Sequence, residues 1–142
     1  MTWSHHHSEL TTATPAQLWT RWTTAGYWHV DDPGVEWARF DGALVEGATG
    51  VVKTHGVPAQ TIEFTRVEPG RAMDFTIRLP LATLAITHDM APAAGGTRTT
   101  HGVVLDGPLH RIYALLLGGT LARGLPTVVR NVTAGALRDG DA

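Results

Sequence analysis

At 142 residues the chain has the length of one domain with one core, and 43% hydrophobic against 17% charged residues excludes a disordered polymer. A net charge of −2 with no basic block argues against an electrostatic nucleic-acid binder. Cysteine is absent, which excludes disulfides, thiolate nucleophiles and cysteine metal sites. The opening stretch MTWSHHHSEL has no cationic region followed by an apolar core, so it does not read as a signal peptide. No uninterrupted apolar run approaches a membrane span, so a cytoplasmic protein with neither nucleic-acid nor membrane partner is expected. Eight histidines are many for this length and are the feature to explain.

Trp3 to Thr12 reads as a strand whose alternate positions form two sets. Trp3, His5, His7, Glu9 and Thr11 share one face; Ser4, His6, Ser8, Leu10 and Thr12 share the other. Neither is cleanly apolar, so the inward face is left open. Thr14-Pro15-Ala16-Gln17 carries a capping box, and Leu18, Trp19 and Trp22 give the following helix an apolar stripe that Gly26 ends. His29 to Gly34 reads as a loop with strong turn chemistry at Asp31-Asp32-Pro33-Gly34. Val35 to Asp41 and Gly50 to His55 are the next strands. Gln60 to Val67 and Ala72 to Leu79 flank Glu68-Pro69-Gly70-Arg71, where Pro then Gly specifies a type II turn. Centring a hairpin there pairs Phe64 with Phe75 and Ile62 with Ile77. Arg66 then has inward parity and is expected to snorkel outward from near the strand end.

Leu84 to Met90 and Thr97 to Leu105 form the last hairpin. If Leu84 pairs with Leu105 and Ile86 with Val103, His88 falls opposite His101 on the aliphatic face, because a slip of one residue would turn every apolar side chain outward. Pro108 then opens a helix whose expected inward stripe is Leu109, Ile112, Leu116, Leu121, Leu125, Val128 and Val132. Gly118-Gly119, Gly124 and Pro126 predict a kink or a close approach. Ala134 to Ala142 is expected to be a frayed tail. A terminal helix this one-sided must lie on the sheet that precedes it.

The order strand, helix, loop, six strands, long helix resembles the START-like (SRPBCC) superfamily, most closely its polyketide cyclase/dehydrase-like branch. The residues that carry the likeness run through the chain: Ala13-Thr14-Pro15 with Leu18-Trp19; Trp28 with Asp32-Pro33-Gly34-Val35; Gly42, Gly47 and Gly50; Val67-Glu68-Pro69-Gly70-Arg71; Gly95-Gly96-Thr97-Arg98 with Thr100-His101; and Gly107-Pro108-Leu109. The resemblance implies an α+β helix-grip fold in a single domain over residues 1–142. In it a seven-stranded curved antiparallel sheet wraps around a long C-terminal helix, with one or two short helices after the first strand. It also implies an apolar cavity between sheet and helix. It supplies no catalytic residue by position, and fold alone does not give function.

Small-molecule sites are apolar cavities with a few placed polar groups. His88 and His101 are the candidate catalytic pair. Imidazole titrates near neutrality, and two of them beside a keto or enol group can exchange protons in an aldol cyclisation or dehydration. The alternative is a hydrogen-bonded core pair or a grip on a ligand's polar end. Candidate ligand-binding residues are His5, His7, Trp28, Trp37, His55, Phe64, Phe75, Ile86, Val103 and Tyr113. His5, His7, Glu9 and His55 together would suit a zinc site of a metal-assisted hydrolase, but the spacing matches no recognised metal motif. Neither metal nor cofactor is expected. The expected partner is a hydrophobic, partly oxygenated small molecule, bound by a cyclase/dehydratase-like enzyme or by a non-catalytic carrier or sensor. A homodimer is left open.

Overall fold

The structure is a computed structural model and describes residues 2–139. Seven strands form one antiparallel sheet in the order β1-β7-β6-β5-β4-β3-β2. They are β1 (Thr2–Thr11), β2 (Val35–Phe40), β3 (Thr49–Thr54), β4 (Gln60–Glu68), β5 (Ala72–Leu79), β6 (Ala82–Ala93) and β7 (Gly96–Asp106). Helix α1 (Pro15–Thr23), a 3-10 turn (Ala25–Tyr27) and the short α2 (Trp28–Asp31) follow β1. A last helix, α3 (His110–Asp139), closes the chain. This is the α+β helix-grip architecture.

Local chemistry accounts for the boundaries. Thr14 caps α1, its Oγ1 accepting from Gln17 N at 3.2 Å while Gln17 Oε1 accepts from Thr14 N at 2.9 Å. The region read as a loop from His29 is helical as far as Asp31, and the turn is left to Asp32, whose Oδ1 accepts from Gly34 N at 2.8 Å. At the β4–β5 turn Gly70 has φ +73°, and Arg71 N donates to Glu68 O at 2.9 Å. Phe64 pairs with Phe75 and Ile62 with Ile77.

One residue breaks the simple alternation. The register shifts between Phe64 and Arg66, so that Arg66 faces Asp74 and Val67 faces Met73. This bulge turns Arg66 to the outer face, where Nε donates to Asp74 Oδ2 at 2.9 Å and Nη2 to Asp89 Oδ1 at 2.7 Å. Its outward position is set by register and not by snorkelling. The last hairpin has the expected register, Leu84 to Leu105, Ile86 to Val103 and His88 to His101.

The core lies on the concave side of the sheet and joins Phe64, Met73, Ile62 and Leu105 to Leu18 and Trp22 of α1 and to Leu125, Val132 and Ala136 of α3. The inward stripe of α3 differs from the expected one. Ile112 and Leu116 are 52% and 70% exposed, while Gly118, Leu125, Val129 and Val132 are buried. Ala114–Gly118 is a π-helical segment. Gly118 makes the expected close approach, since a Cβ there would lie 2.9 Å from Trp3 Cζ2. The helix runs on through Pro126. It continues through Ala134–Asp139 instead of fraying there, with Gly135 and Ala136 buried; the last three residues of the expected tail lie outside the described ones. By length and composition alone α3 is apolar enough to cross a membrane, a property that an averaged hydropathy shows and a search for unbroken apolar runs does not.

Arg21, buried in α1, ties this end together. Its Nη2 donates to Asp31 Oδ1 at 2.6 Å and Nε to Asp31 Oδ2 at 3.0 Å, Nη1 donates to Asp139, and the guanidinium lies 3.7 Å from the Tyr27 ring centroid.

Candidate functional site: a row of imidazoles under Trp22

β7 lies between β1 and β6, and its His101 pairs with His7 on one side and His88 on the other. Side chains in register on adjacent antiparallel strands share a face. The three histidines therefore form a row across the concave side, and the face of β1 left open by the sequence is the one with Trp3, His5, His7, Glu9 and Thr11. The rings of His88 and His101 are 4.6 Å apart, edge to face. At the outer end His7 Nε2 is 2.9 Å from Glu9 Oε2, and Arg130 of α3 is 3.7 Å from the same carboxylate oxygen. The row thus runs from a partly exposed His7–Glu9 hydrogen bond into the core.

At its inner end His88 Nδ1 donates to the Met73 carbonyl at 2.8 Å. A carbonyl only accepts, so in the neutral ring the lone pair sits on Nε2. Burial pushes His88 down to about 4, against that hydrogen bond and the nearby Asp74 and Asp89 carboxylates, which act the other way. Burial, with His88 and His7 alongside, also pushes His101 well below the usual imidazole value. Both rings are therefore neutral at physiological pH.

Trp22 closes the row. Its ring centroid is 5.4 Å from that of His88 and 5.8 Å from that of His101, and the residue is 2% exposed. The interior at the imidazoles is thus packed and not the hollow expected there. Three buried polar side-chain atoms in this region have no hydrogen-bond partner among the described residues: Trp22 Nε1, Thr99 Oγ1 and His101 Nε2. Thr99 shares the inward face with His101, two positions along β7. Buried polar groups are nearly always paired, so three unpaired ones in one core call for a reason.

The other candidates divide. Phe64, Phe75 and Val103 are buried beside the row, and Ile86 keeps part of its surface although Leu84 and His88 on either side are buried. Trp28 stacks on Phe75 at 5.0 Å and donates Nε1 to Trp22 O at 3.0 Å, which ties it to the Trp22 backbone. Tyr113 does not offer its hydroxyl to the interior but donates it to Pro80 O at 3.0 Å. His5 shares the inward parity but is exposed. Trp37 is turned to the outer face, because Ala38 and Phe40 take the inward positions after a register shift between Val35 and Trp37. His55 lies just past β3, exposed, with Nδ1 3.7 Å from Glu36. Among the described residues no three His, Asp or Glu side chains converge as a metal-ligand set, so the grouping of His5, His7, Glu9 and His55 is not formed. Two concavities, about 570 Å³ lined by Trp3, His110 and Leu115 and about 440 Å³ lined by Glu63, Arg78 and Leu81, have neither His88 nor His101 in their walls.

No family model matches the chain, and no curated protein matches it in sequence. Solved structures do match. The Zhui aromatase/cyclase from Streptomyces sp. R1128 superimposes with a TM-score of 0.79 at 10% identity, over 97% of this chain and 95% of that one. The di-domain aromatase/cyclase StfQ from the steffimycin biosynthetic pathway gives 0.78 at 12% identity over 98% of this chain, which spans 52% of StfQ. The chain has the same helix-grip fold as these solved structures. Norcoclaurine synthase from Thalictrum flavum, solved with dopamine and hydroxybenzaldehyde, also superimposes, with a TM-score of 0.73 at 13% identity over 100% of this chain and 90% of that one.

Within this fold the sequence reading missed the unpartnered polar atoms of Trp22 and Thr99. Trp22 follows Leu18 by one turn and reads as core, which it is; that its N–H finds no acceptor is a matter of packing. Thr99 did carry a signal, the same strand parity as His101.

Proposed function

We propose that this START-like domain binds a hydrophobic, partly oxygenated small molecule between the concave sheet and α3, with the molecule's oxygen meeting Trp22 Nε1, Thr99 Oγ1 and His101 Nε2. The three unpartnered polar atoms carry this reading. An indole N–H only donates, a hydroxyl does either, and a neutral imidazole nitrogen accepts or donates according to tautomer, so a hydroxyl or carbonyl oxygen suits the set. The apolar body of the guest would lie along Ile86, Trp28, Leu121 and Val128, which border the core but keep part of their surface. Trp22 has to turn aside for the guest to reach the imidazoles. Binding without chemistry is the first reading, since three unpartnered polar atoms ask for a hydrogen-bonded guest and not for a reaction.

Cyclisation or dehydration of a polyketide-like substrate is the second reading. One observation favours it: His88 is held in the tautomer that leaves Nε2 as a neutral base 4.6 Å, ring to ring, from a second neutral imidazole. The likeness to proteins named as aromatase/cyclases agrees with it. The test is the pair of single variants His88→Gln and His101→Gln, assayed for binding and turnover of polyketide-like aromatic ketones. Binding weakened in His101→Gln, with no turnover by any form, supports the binder. Turnover lost in both variants supports the enzyme. Binding unchanged in both contradicts the placement of the guest.

A further inference from the structure

The first turns of α3 and the β5–β6 hairpin tip present a second feature, which does not depend on the ligand reading. Ile112, Leu115 and Leu116 are 52%, 87% and 70% exposed, and Leu81 at the hairpin tip is 66% exposed. The two segments meet, since Leu109 N donates to Leu81 O at 3.0 Å and Tyr113 Oη to Pro80 O at 3.0 Å. Leu81 also has φ +55°, and among the described residues it is the only non-glycine with positive φ. That conformation costs a leucine roughly 1 kcal/mol or more, where glycine would sit at ease. The two-residue turn Pro80-Leu81 between β5 and β6 sets that backbone, but it does not call for a leucine, whose side chain the fold leaves in water.

The charges around it are three arginines, with Glu63 and Asp106 as the nearby carboxylates. Among the described residues Arg111, Arg123 and Arg78 are exposed and in no ion pair, as is Arg98 near the start of β7, whereas Arg21, Arg39, Arg66, Arg71, Arg130 and Arg138 all reach carboxylates. Arg111 precedes the leucine stripe and Arg123 ends it, seven residues on from Leu116 and so on the same side of the helix. Arg78 stands three residues before Leu81, on the outer face. Asp106, the neighbouring carboxylate in sequence, accepts from Gly107 N at 2.8 Å. A stripe of leucines framed by uncompensated arginines is the pattern of a helix that lies in the headgroup region of a bilayer. Spanning is excluded by the opposite face of the same helix, where Leu125, Val129, Val132 and Ala136 are buried in the fold.

We infer that the N-terminal end of α3 and the Leu81 hairpin tip dock the protein on an anionic lipid surface, with Ile112, Leu115, Leu116 and Leu81 entering the acyl boundary and Arg111, Arg123 and Arg78 meeting phosphates. The test is co-sedimentation of the full chain with phosphatidylcholine vesicles with and without phosphatidylglycerol, at low and high salt. The wild type sediments with the phosphatidylglycerol vesicles and is released by salt. Leu81→Gly partitions roughly tenfold less, as does Leu115→Ser with Leu116→Ser. Arg111→Gln with Arg123→Gln loses about an order of magnitude on anionic vesicles alone. Leu81→Gly also melts no lower than the wild type, because it relieves the backbone, and this separates lost docking from lost folding. Failure of the wild type to sediment with anionic vesicles overturns the inference. Equal partition of wild type and leucine variants does so too, as does light scattering that shows a dimer which Leu115→Ser with Leu116→Ser splits.

Discussion

The Trp22 indole lies edge-on to His101 with ring centroids 5.8 Å apart, and neither Trp22 Nε1 nor His101 Nε2 has a hydrogen-bond partner among the described residues. Each such group costs about 1–3 kcal/mol in a buried site. Thr99, with 0% exposure, is the member that can be changed with least disturbance of shape. Thr99→Val is expected to raise the unfolding free energy by about 1 kcal/mol in a urea titration, since it removes an unpaired hydroxyl. It is also expected to weaken ligand binding. Gain of stability with loss of binding is the signature of a functional site set against the fold. A clear loss of stability would place the hydroxyl among the satisfied groups of the core.

The buried imidazoles set a pH dependence. His88 falls from about 6.5 in the unfolded chain to about 4 when folded, and His101 falls as well. Between these values the unfolded chain binds protons that the folded one refuses, so stability rises with pH through this window and falls as the solution is acidified from about 6.5 toward 4. For His88 alone the loss is on the order of 3 kcal/mol. Unfolding free energies measured from pH 7 to pH 4 check this, and His88→Gln should flatten the slope over that range. An unchanged slope in the variant contradicts a neutral buried ring.

A Cβ on Gly135 would lie 2.5 Å from Arg21 Nη2. That guanidinium cannot swing away freely, because Asp31 and Asp139 hold it. Gly135→Ala is expected to destabilise by about 1–3 kcal/mol despite its better helix propensity. Arg21→Ala should cost roughly 3–5 kcal/mol by leaving Asp31 buried and unpaired, and Asp31→Asn in that background should recover part of it. Thermal melts of the four proteins decide the matter. If Arg21→Ala and Gly135→Ala both melt with the wild type, the clamp between α1, α2 and α3 contributes nothing.

Parity and turn chemistry made most of the sheet legible. The Pro69-Gly70 turn aligned Phe64 with Phe75, and the aliphatic alternation of β6 and β7 put His88 opposite His101, since both signals are local and a slip of one residue is costly. What failed was non-local or cost little. A bulge after Phe64 adds one residue and reverses Arg66, and no residue type announces it. The stripe of α3 was drawn through Ile112 and Leu116 as if apolar meant buried, whereas the fold buries Gly118 against Trp3 and leaves those two side chains out while keeping Leu125 and Val132 inside. Of the candidate site, the imidazole pair and its apolar neighbours were visible in the sequence. The filling of the space by Trp22 was not, because whether an interior is hollow depends on how an aromatic ring from another element turns.

The most direct test of the ligand reading is a titration of isotope-labelled protein with 1-naphthol, following the indole N–H resonance of Trp22, assigned with Trp22→Phe. A saturable downfield shift of that resonance, accompanied by shifts of the His101 ring, is the predicted result. Saturable binding that leaves the Trp22 and His101 signals in place, or no binding up to the solubility limit of the probe, would contradict it.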